Sequence, residues 1–325
     1  MGVRQHNYFR VLYMINQSPT SPNTFYFISP WRHRASINTS MSMSGSRSFV
    51  VNDRGVVGHN TFISYNPSTN SWSYSQGVNQ PTYYSSPWVI NDEAFILIRG
   101  GETVPVNFYI YKYLPDNSSN TWNYWGWNLL PNYITKGFTT AVAQNRAFLL
   151  TGNPHNLSAP NFFEVVPADN HWEPAPQFPG GILEYAFAME INGMAHFGTG
   201  LQNGHPSDVF YRYNPSTQNW TQLADFPVKS YNGIGFSING IGYAGIGNKK
   251  VNQEDFDKSI YSFNPELNSW KWVANFPNVP SWLEIRDAFA FTIGNVAYVG
   301  IANHSSYNFF EFDPAYLKEN YQHNK

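Results

Sequence analysis

The sequence predicts an all-β protein made of repeated four-stranded units, and three observations carry that prediction. Aromatic residues are 18% of the 325 positions and charged residues only 12%, roughly half the usual charged share of about 25%. Short apolar runs of strand length are punctuated by Asn, Gly and Pro instead of continuing at helical spacing. A phrase beginning in an aromatic residue, Asn and Pro and ending in Trp returns again and again along the chain.

The phrase is clearest as Tyr65-Asn66-Pro67-Ser68-Thr69-Asn70-Ser71-Trp72. It returns as Tyr213-Asn214-Pro215-Ser216-Thr217-Gln218-Asn219-Trp220 and as Phe263-Asn264-Pro265-Glu266-Leu267-Asn268-Ser269-Trp270. Weaker copies run from Pro115 to Trp122 and from Pro167 to Trp172, and a sixth, Phe312-Asp313-Pro314, has no Trp after it. The six prolines are 48, 52, 48, 50 and 49 residues apart, and the five tryptophans 50, 50, 48 and 50 apart. A fixed period of this length marks a repeat architecture.

Each element of the unit has a local cause. The unit opens with a hairpin of two short strands. Phe236–Gly247 turns at Asn239-Gly240, Met189–Gly200 at Asn192-Gly193, Phe291–Gly300 at Gly294-Asn295, and Phe49–Gly58 at Asp53-Arg54-Gly55; such pairs adopt the left-handed conformation a tight hairpin needs. Val89–Gly101 and Ala141–Gly152 complete the set. A loop leads to a third strand, as in Phe108–Tyr113, Phe162–Val166, Val209–Tyr213 and Ser259–Phe263. The Asn-Pro turn follows, since Pro presets φ and Asn caps the turn with its side chain. Trp then opens the fourth strand.

Four short strands in each unit of this length predict a β-propeller blade. On the Asn-Pro…Trp phrases and the Phe-Pro pairs Phe178-Pro179, Phe226-Pro227 and Phe276-Pro277, the sequence resembles kelch-repeat propellers, particularly bacterial secreted or surface ones. The resemblance covers residues 24–314. It departs from the family in one feature: the kelch double glycine survives only at Gly100-Gly101.

Six hairpins and six third strands predict six blades, with residues 1–23 as an N-terminal extension and 315–325 as a C-terminal tail. The last blade lacks a fourth strand, and an open edge is a liability. We therefore expect the N-terminus to close the ring, with Thr24–Ser29 pairing with Tyr307–Phe312 and Tyr8–Ile15 as the competing donor. Arg10 interrupts that second run and no small-residue cleavage site follows, so it does not read as an export signal.

Several function classes are excluded. With no Cys, thiolate zinc sites, cysteine nucleophiles and disulfides cannot form, nor can the Cys–Tyr copper site of kelch oxidases of the galactose oxidase type. A net charge of -2 gives no footprint for nucleic acid. No apolar run is long enough for a membrane-spanning helix. The histidines lack zinc-ligand spacing, the acidic stretch around Glu254, Asp255 and Asp257 lacks the spacing of a calcium loop, and no phosphate-cradling glycine loop is present, so neither metal nor cofactor is expected.

The periodic tryptophans read as packing between blades, because a residue fixed in every repeat serves the array. Function is expected where connections vary, on the loops between second and third strands and between blades. The candidate binding residues there are Tyr83, Tyr84, Arg99, Glu102, Lys136, His155, Tyr185, His205, Tyr231, Trp282, Glu284, Arg286 and His304. The reading is a non-catalytic, monomeric ring that presents this face to a protein, peptide or glycan. The alternative is a sugar mutarotase or epimerase, with Glu184, Glu284 and Arg286 around the channel mouth, for which kelch-like sialic acid mutarotases are the precedent. An ion pair between Glu284 and Arg286 is the structural alternative to a site. Low Lys with abundant Asn, Ser, Thr and Tyr, together with the resemblance, points to an extracellular or cell-surface location.

Overall fold

The computed structural model describes residues 29–37, 47–58, 61–75, 77–78, 84–100, 107–115, 121–127, 134–154, 159–166, 171–251, 255–277, 288–301 and 308–317. They form a six-bladed β-propeller of antiparallel four-stranded blades. Blade 1 comprises Arg47–Val51, Arg54–Gly58, Phe62–Asn66 and Ser71–Ser75, and blade 2 Tyr84–Ile90, Glu93–Gly100, Asn107–Leu114 and Thr121–Trp127. Blade 3 comprises Thr139–Ala143, Arg146–Leu150, Phe162–Val166 and His171–Pro174, and blade 4 Phe187–Ile191, Met194–Gly198, Phe210–Asn214 and Asn219–Gln222. Blade 5 comprises Ile234–Ile238, Ile241–Asn248, Phe256–Asn264 and Ser269–Asn275. Blade 6 takes three strands from the C-terminal end, Ala288–Ile293, Val296–Ile301 and Asn308–Phe312, and its outer strand, Trp31–His33, from the N-terminal end.

The expected turns are present. The Asn-Pro turns are held by the Asn or Asp side chain accepting from the backbone two residues on: Asn66 from Ser68, Asn214 from Ser216, Asn264 from Glu266 and Asp313 from Ala315, at 2.9–3.0 Å. Apolar burial lies between blades: six clusters each join two neighbours, and together they close the circle. In blades 3 and 4, for instance, Phe148 meets Tyr213 at 5.1 Å and Phe162 meets Tyr213 and Trp220 at 4.9 and 4.7 Å, all edge-on or nearly so, while Phe148 and Phe162 stack on each other at 5.6 Å. The aromatic excess of the composition is therefore largely the material of these joints, worth about 0.5–1.5 kcal/mol per ring pair beyond area burial.

The second half of the repeated phrase is a clasp on the preceding blade. Trp72 Nε1 donates to the carbonyl of Ala35 at 2.9 Å, while Asn70 Oδ1 accepts the Ala35 N–H at 3.0 Å. Trp270 and Asn268 hold Ala224 in the same way, at 3.0 and 2.9 Å. In blade 4, Trp220 donates to the carbonyl of Pro176 at 2.8 Å. Proline has no N–H to offer, and the position of the accepting Asn is there Gln218.

The closing strand is corrected. It is Trp31–His33, with Trp31 opposite Phe312, Arg32 opposite Glu311 and His33 opposite Phe310. Thr24–Ser29 does not hold that place, and apart from Ser29 it lies outside the described residues, as does Tyr8–Ile15. Pro30 directly precedes the strand, and its carbonyl accepts from Asp313 N at 2.9 Å. Trp31 is the sixth periodic tryptophan: it faces Phe312 as Trp72 faces Tyr65 and Trp270 faces Phe263. The buried carboxylate of Glu311 anchors the strand, pairing with Arg32 at 3.1 Å and with Arg34, and accepting from Tyr298 Oη at 3.2 Å.

Candidate functional site: the mouth of the central channel

The inner strands of all six blades converge on a cavity of about 170 Å³ at the ring axis. Each blade lines it with the first residues of its inner strand or those just before them, among them Arg47 and Ser48, Ser86 and Pro87, Thr139 and Thr140, Tyr185, Asn232 and Ala288. Backbone hydrogen bonds join the mouth from blade to blade: Tyr185 N donates to Gly137 O at 2.8 Å, and Asn232 N to Tyr185 O at 3.0 Å. Gly137, Tyr185 and Asn232 all have left-handed φ, at 69°, 57° and 55°. For tyrosine this conformation is uncommon and carries strain.

Blade 3 has no side chain at Gly137, where an added Cβ would lie 2.6 Å from Glu184 Cβ. Over that gap Tyr84 of blade 2 and Tyr185 of blade 4 meet, with ring centroids 6.3 Å apart and a hydrogen bond between the side chains. Tyr231 of blade 5 continues the arc at 6.4 Å from Tyr185. Burial, then the hydrogen bond and charge of Tyr84, then the Glu184 carboxylate hold the Tyr185 phenol above its ordinary pKa, with Arg47 opposing. Tyr185 therefore stays a neutral hydroxyl throughout the neutral range.

The charges are placed around this arc. The Arg99 guanidinium lies 5.6 Å from the Tyr84 ring centroid and is buried. Arg47 Nε donates to Ser85 O at 3.1 Å. Glu184 is buried, fixed by backbone hydrogen bonds with Leu201 at 2.7 and 3.0 Å, and Lys136 Nζ is 3.9 Å from its carboxylate. Ser86 and Thr140 share a hydroxyl hydrogen bond of 2.7 Å. The mouth thus offers aromatic faces, hydroxyls, an amide and charged groups of both signs. Among the described residues no three His, Asp or Glu side chains gather as a metal would require.

Of the residues selected from sequence, Tyr84, Arg99, Lys136, Glu184, Tyr185 and Tyr231 come together here. Three of them are buried: Arg99, Glu184 and Tyr231. The cause is convergence, since loop-end residues nearest the axis are walled in by neighbouring blades; Tyr231 Oη reaches the Lys250 carbonyl at 3.4 Å. His205 stands apart, exposed on the small hairpin of Leu201–Gln202 and His205–Pro206. Tyr83, Glu102, His155, Trp282, Glu284, Arg286 and His304 lie outside the described residues. Sequence reasoning missed Arg47, Ser86, Thr140 and Asn232. Asn232 stands two residues before its inner strand, the offset of Arg286, whereas Arg47, Ser86 and Thr140 lie inside theirs, within the first three residues.

The fold and site define a six-bladed propeller with a tyrosine-arched axial cavity. The solved structure of YjhT is similar, with a TM-score of 0.66 over 83% of this chain and 94% of that one, at 12% sequence identity. At that identity the likeness speaks for the fold alone. Comparison with protein families and with curated proteins gives no match.

Proposed function

We propose that the chain is a non-catalytic binding propeller of the kelch type, and that its ligand seat is the channel mouth. The observation that carries this reading is the Tyr84–Tyr185–Tyr231 arc over the cavity, with Tyr185 kept in a strained left-handed backbone by hydrogen bonds to two neighbouring blades. Rigid aromatic faces set beside hydroxyls and a buried arginine are the usual anchors of a binding surface. The partner is a protein loop, peptide or glycan that places one ring or side chain over the arc, and the location is extracellular or at the cell surface. Peptide and glycan arrays probed with the full chain test this. Hits that weaken about tenfold or more in Tyr185→Ala, with unchanged melting, are the expected result. Hits that are indifferent to both Tyr185→Ala and Arg286→Ala would refute the seat.

A second reading is favoured by one observation, the buried Glu184 carboxylate beside Lys136 and the tyrosine hydroxyls. A held carboxylate can move a proton at an anomeric hydroxyl, as a sugar mutarotase or epimerase requires. Anomer exchange of a monosaccharide panel, followed by NMR, would accelerate with the wild type and not with Glu184→Gln. No acceleration for any sugar removes the enzyme reading.

A further inference from the structure

Four Asn-Gly pairs occur in the sequence: Asn192-Gly193, Asn203-Gly204, Asn232-Gly233 and Asn239-Gly240. Each carries a latent reaction. The glycine nitrogen attacks Cγ of the preceding asparagine, since glycine has no Cβ to hinder the approach. The new N–C bond closes a succinimide ring, and the side-chain amide leaves as ammonia. Water then opens the ring at either carbonyl, giving aspartate or isoaspartate. The reaction needs an unengaged glycine N–H and an asparagine side chain free to swing over the backbone.

Three of the pairs are restrained. Gly193 N donates to the Glu190 carboxylate. Asn232 N donates to Tyr185 O at 3.0 Å, and a Cβ on Gly233 would lie 3.0 Å from Gly245 O, so this pair is packed in the channel mouth. Asn239-Gly240 joins strands of five and eight residues, and Asn192 Oδ1 lies 2.9 Å from where a Cβ on Gly240 would stand. Asn203-Gly204 differs. Its hairpin has two residues in each strand, Asn203 and Gly204 are both exposed, and nothing lies within 4 Å of a Cβ added to Gly204. Among the described residues no hydrogen bond engages the Asn203 side chain or Gly204 N.

The tip of this hairpin is free, but its base is not. Gln202 Nε2 donates to Gly180 O, and Ser207 Oγ donates to Gln202 Oε1, both at 2.8 Å. Leu201 exchanges backbone hydrogen bonds with Glu184 at 2.7 and 3.0 Å, and Ser230 N donates to Ser207 O at 3.1 Å. Glu184 and Ser230 immediately precede Tyr185 and Tyr231 of the aromatic arc. Isoaspartate routes the backbone through Cβ and so adds a methylene to the turn. The strands it joins pair only as Leu201 with Pro206 and Gln202 with His205. Hairpin register is fixed by turn type and loop length, so this pairing does not survive a longer turn. Tyr185, at a left-handed φ of 57°, then loses the Leu201 hold on its neighbour Glu184 and relaxes.

We infer that Asn203-Gly204 is the Asn-Gly pair of this chain that deamidates, and that isoaspartate there loosens the tyrosine arc at the channel mouth. The consequence for a ligand rests on the binding seat proposed above; the modification and the loosening do not. The full chain is aged in mildly alkaline buffer and followed by peptide mapping, with enzymatic methylation to mark isoaspartate. Asn203 loses its amide while Asn192, Asn232 and Asn239 keep theirs. In the aged chain, amide hydrogen exchange accelerates at Glu184, Tyr185, Leu201 and Ser230. Asn203→Gly cannot cyclise and suits the left-handed turn, so after the same ageing it keeps the exchange of the fresh protein. Fresh Asn203→Asp carries the added charge without the added methylene and exchanges like the fresh wild type. Conversion of another Asn-Gly pair as fast as Asn203, or unchanged exchange at Glu184 and Leu201 in the converted chain, overturns the inference. So does fresh Asn203→Asp that already exchanges like the aged chain, since charge would then be the cause. No ligand enters these measurements, so their failure is distinct from failure of the binding seat, which the arrays read on fresh protein.

Discussion

Blade 5 and blade 6 have the same strand order and the same aromatic opposition, but one comes from a continuous stretch of chain and the other from both ends. In blade 5, Trp270 packs on Phe263 with centroids 5.0 Å apart, and a covalent turn joins their strands. In blade 6, Trp31 packs on Phe312 at the same 5.0 Å, with no such turn. The replacement for the turn is electrostatic. Where blade 5 sets Ser262 opposite Lys271, blade 6 sets Glu311 opposite Arg32, with Arg34 and Tyr298 on the same carboxylate. A three-residue strand is held by one buried charge where a seven-residue strand is held by its own chain.

That contrast is open to measurement by urea unfolding. The largest effect is expected from Trp31→Ala, which removes the ring seated among Phe276, Phe310 and Phe312 and should cost about 3–5 kcal/mol. If blade 6 closes as firmly as blade 5, Trp270→Ala costs the same; a smaller cost at Trp31 would mean that the closure is loose. Glu311→Ala comes next, at about 3 kcal/mol, because Arg34 and Arg32 lose their buried counter-charge. Ser262→Ala, at the same register in blade 5, should change stability by no more than about 0.5 kcal/mol.

The blade 4–5 joint has its own weak point, the buried His196, whose Nδ1 lies 3.0 Å from the Met194 carbonyl. Burial lowers its pKa from 6.5 to about 4, and Arg212 adds to the effect while the Met194 hydrogen bond opposes it. The unfolded chain therefore takes up a proton before the folded one as pH falls. This stability is present in full above pH 6.5 and is lost on the way down to about 4, by about 3 kcal/mol in all. His196→Leu should flatten that stretch of the stability–pH curve; an unchanged curve would place the acid sensitivity elsewhere. The smallest contrast lies within the clasps. Asn70→Ala, which orphans the Ala35 N–H, should cost about 1 kcal/mol, whereas Gln218→Ala, opposite a proline, should cost nothing measurable.

The ring was legible because Asn, Pro and Trp must recur wherever an identical turn and joint recur. Its closure was misplaced by a few residues for a physical reason. The sixth phrase is split between Phe312-Asp313-Pro314 and Trp31, and no spacing along the chain connects the two. At the mouth, Glu184 and Tyr185 were legible from their position just before an inner strand. The meeting of Tyr84 with Tyr185 was not, because it depends on what blade 3 lacks at Gly137. The burial of Arg99 and Tyr231 was not legible either, because burial at a convergent axis is set by neighbours some 50 residues away in sequence.

The clasp of Asn70 and Trp72 on Ala35 also bears on how the ring is completed. Ala35 sits two residues beyond the closing strand, so blade 1 holds that strand's C-terminal end as soon as blade 1 itself forms. The closing strand is thus fixed from two sides, by its pairing with Asn308–Phe312 and by this clasp. If either is lost, the other still tethers the strand over a short span, which limits the chain entropy that opening the ring can gain.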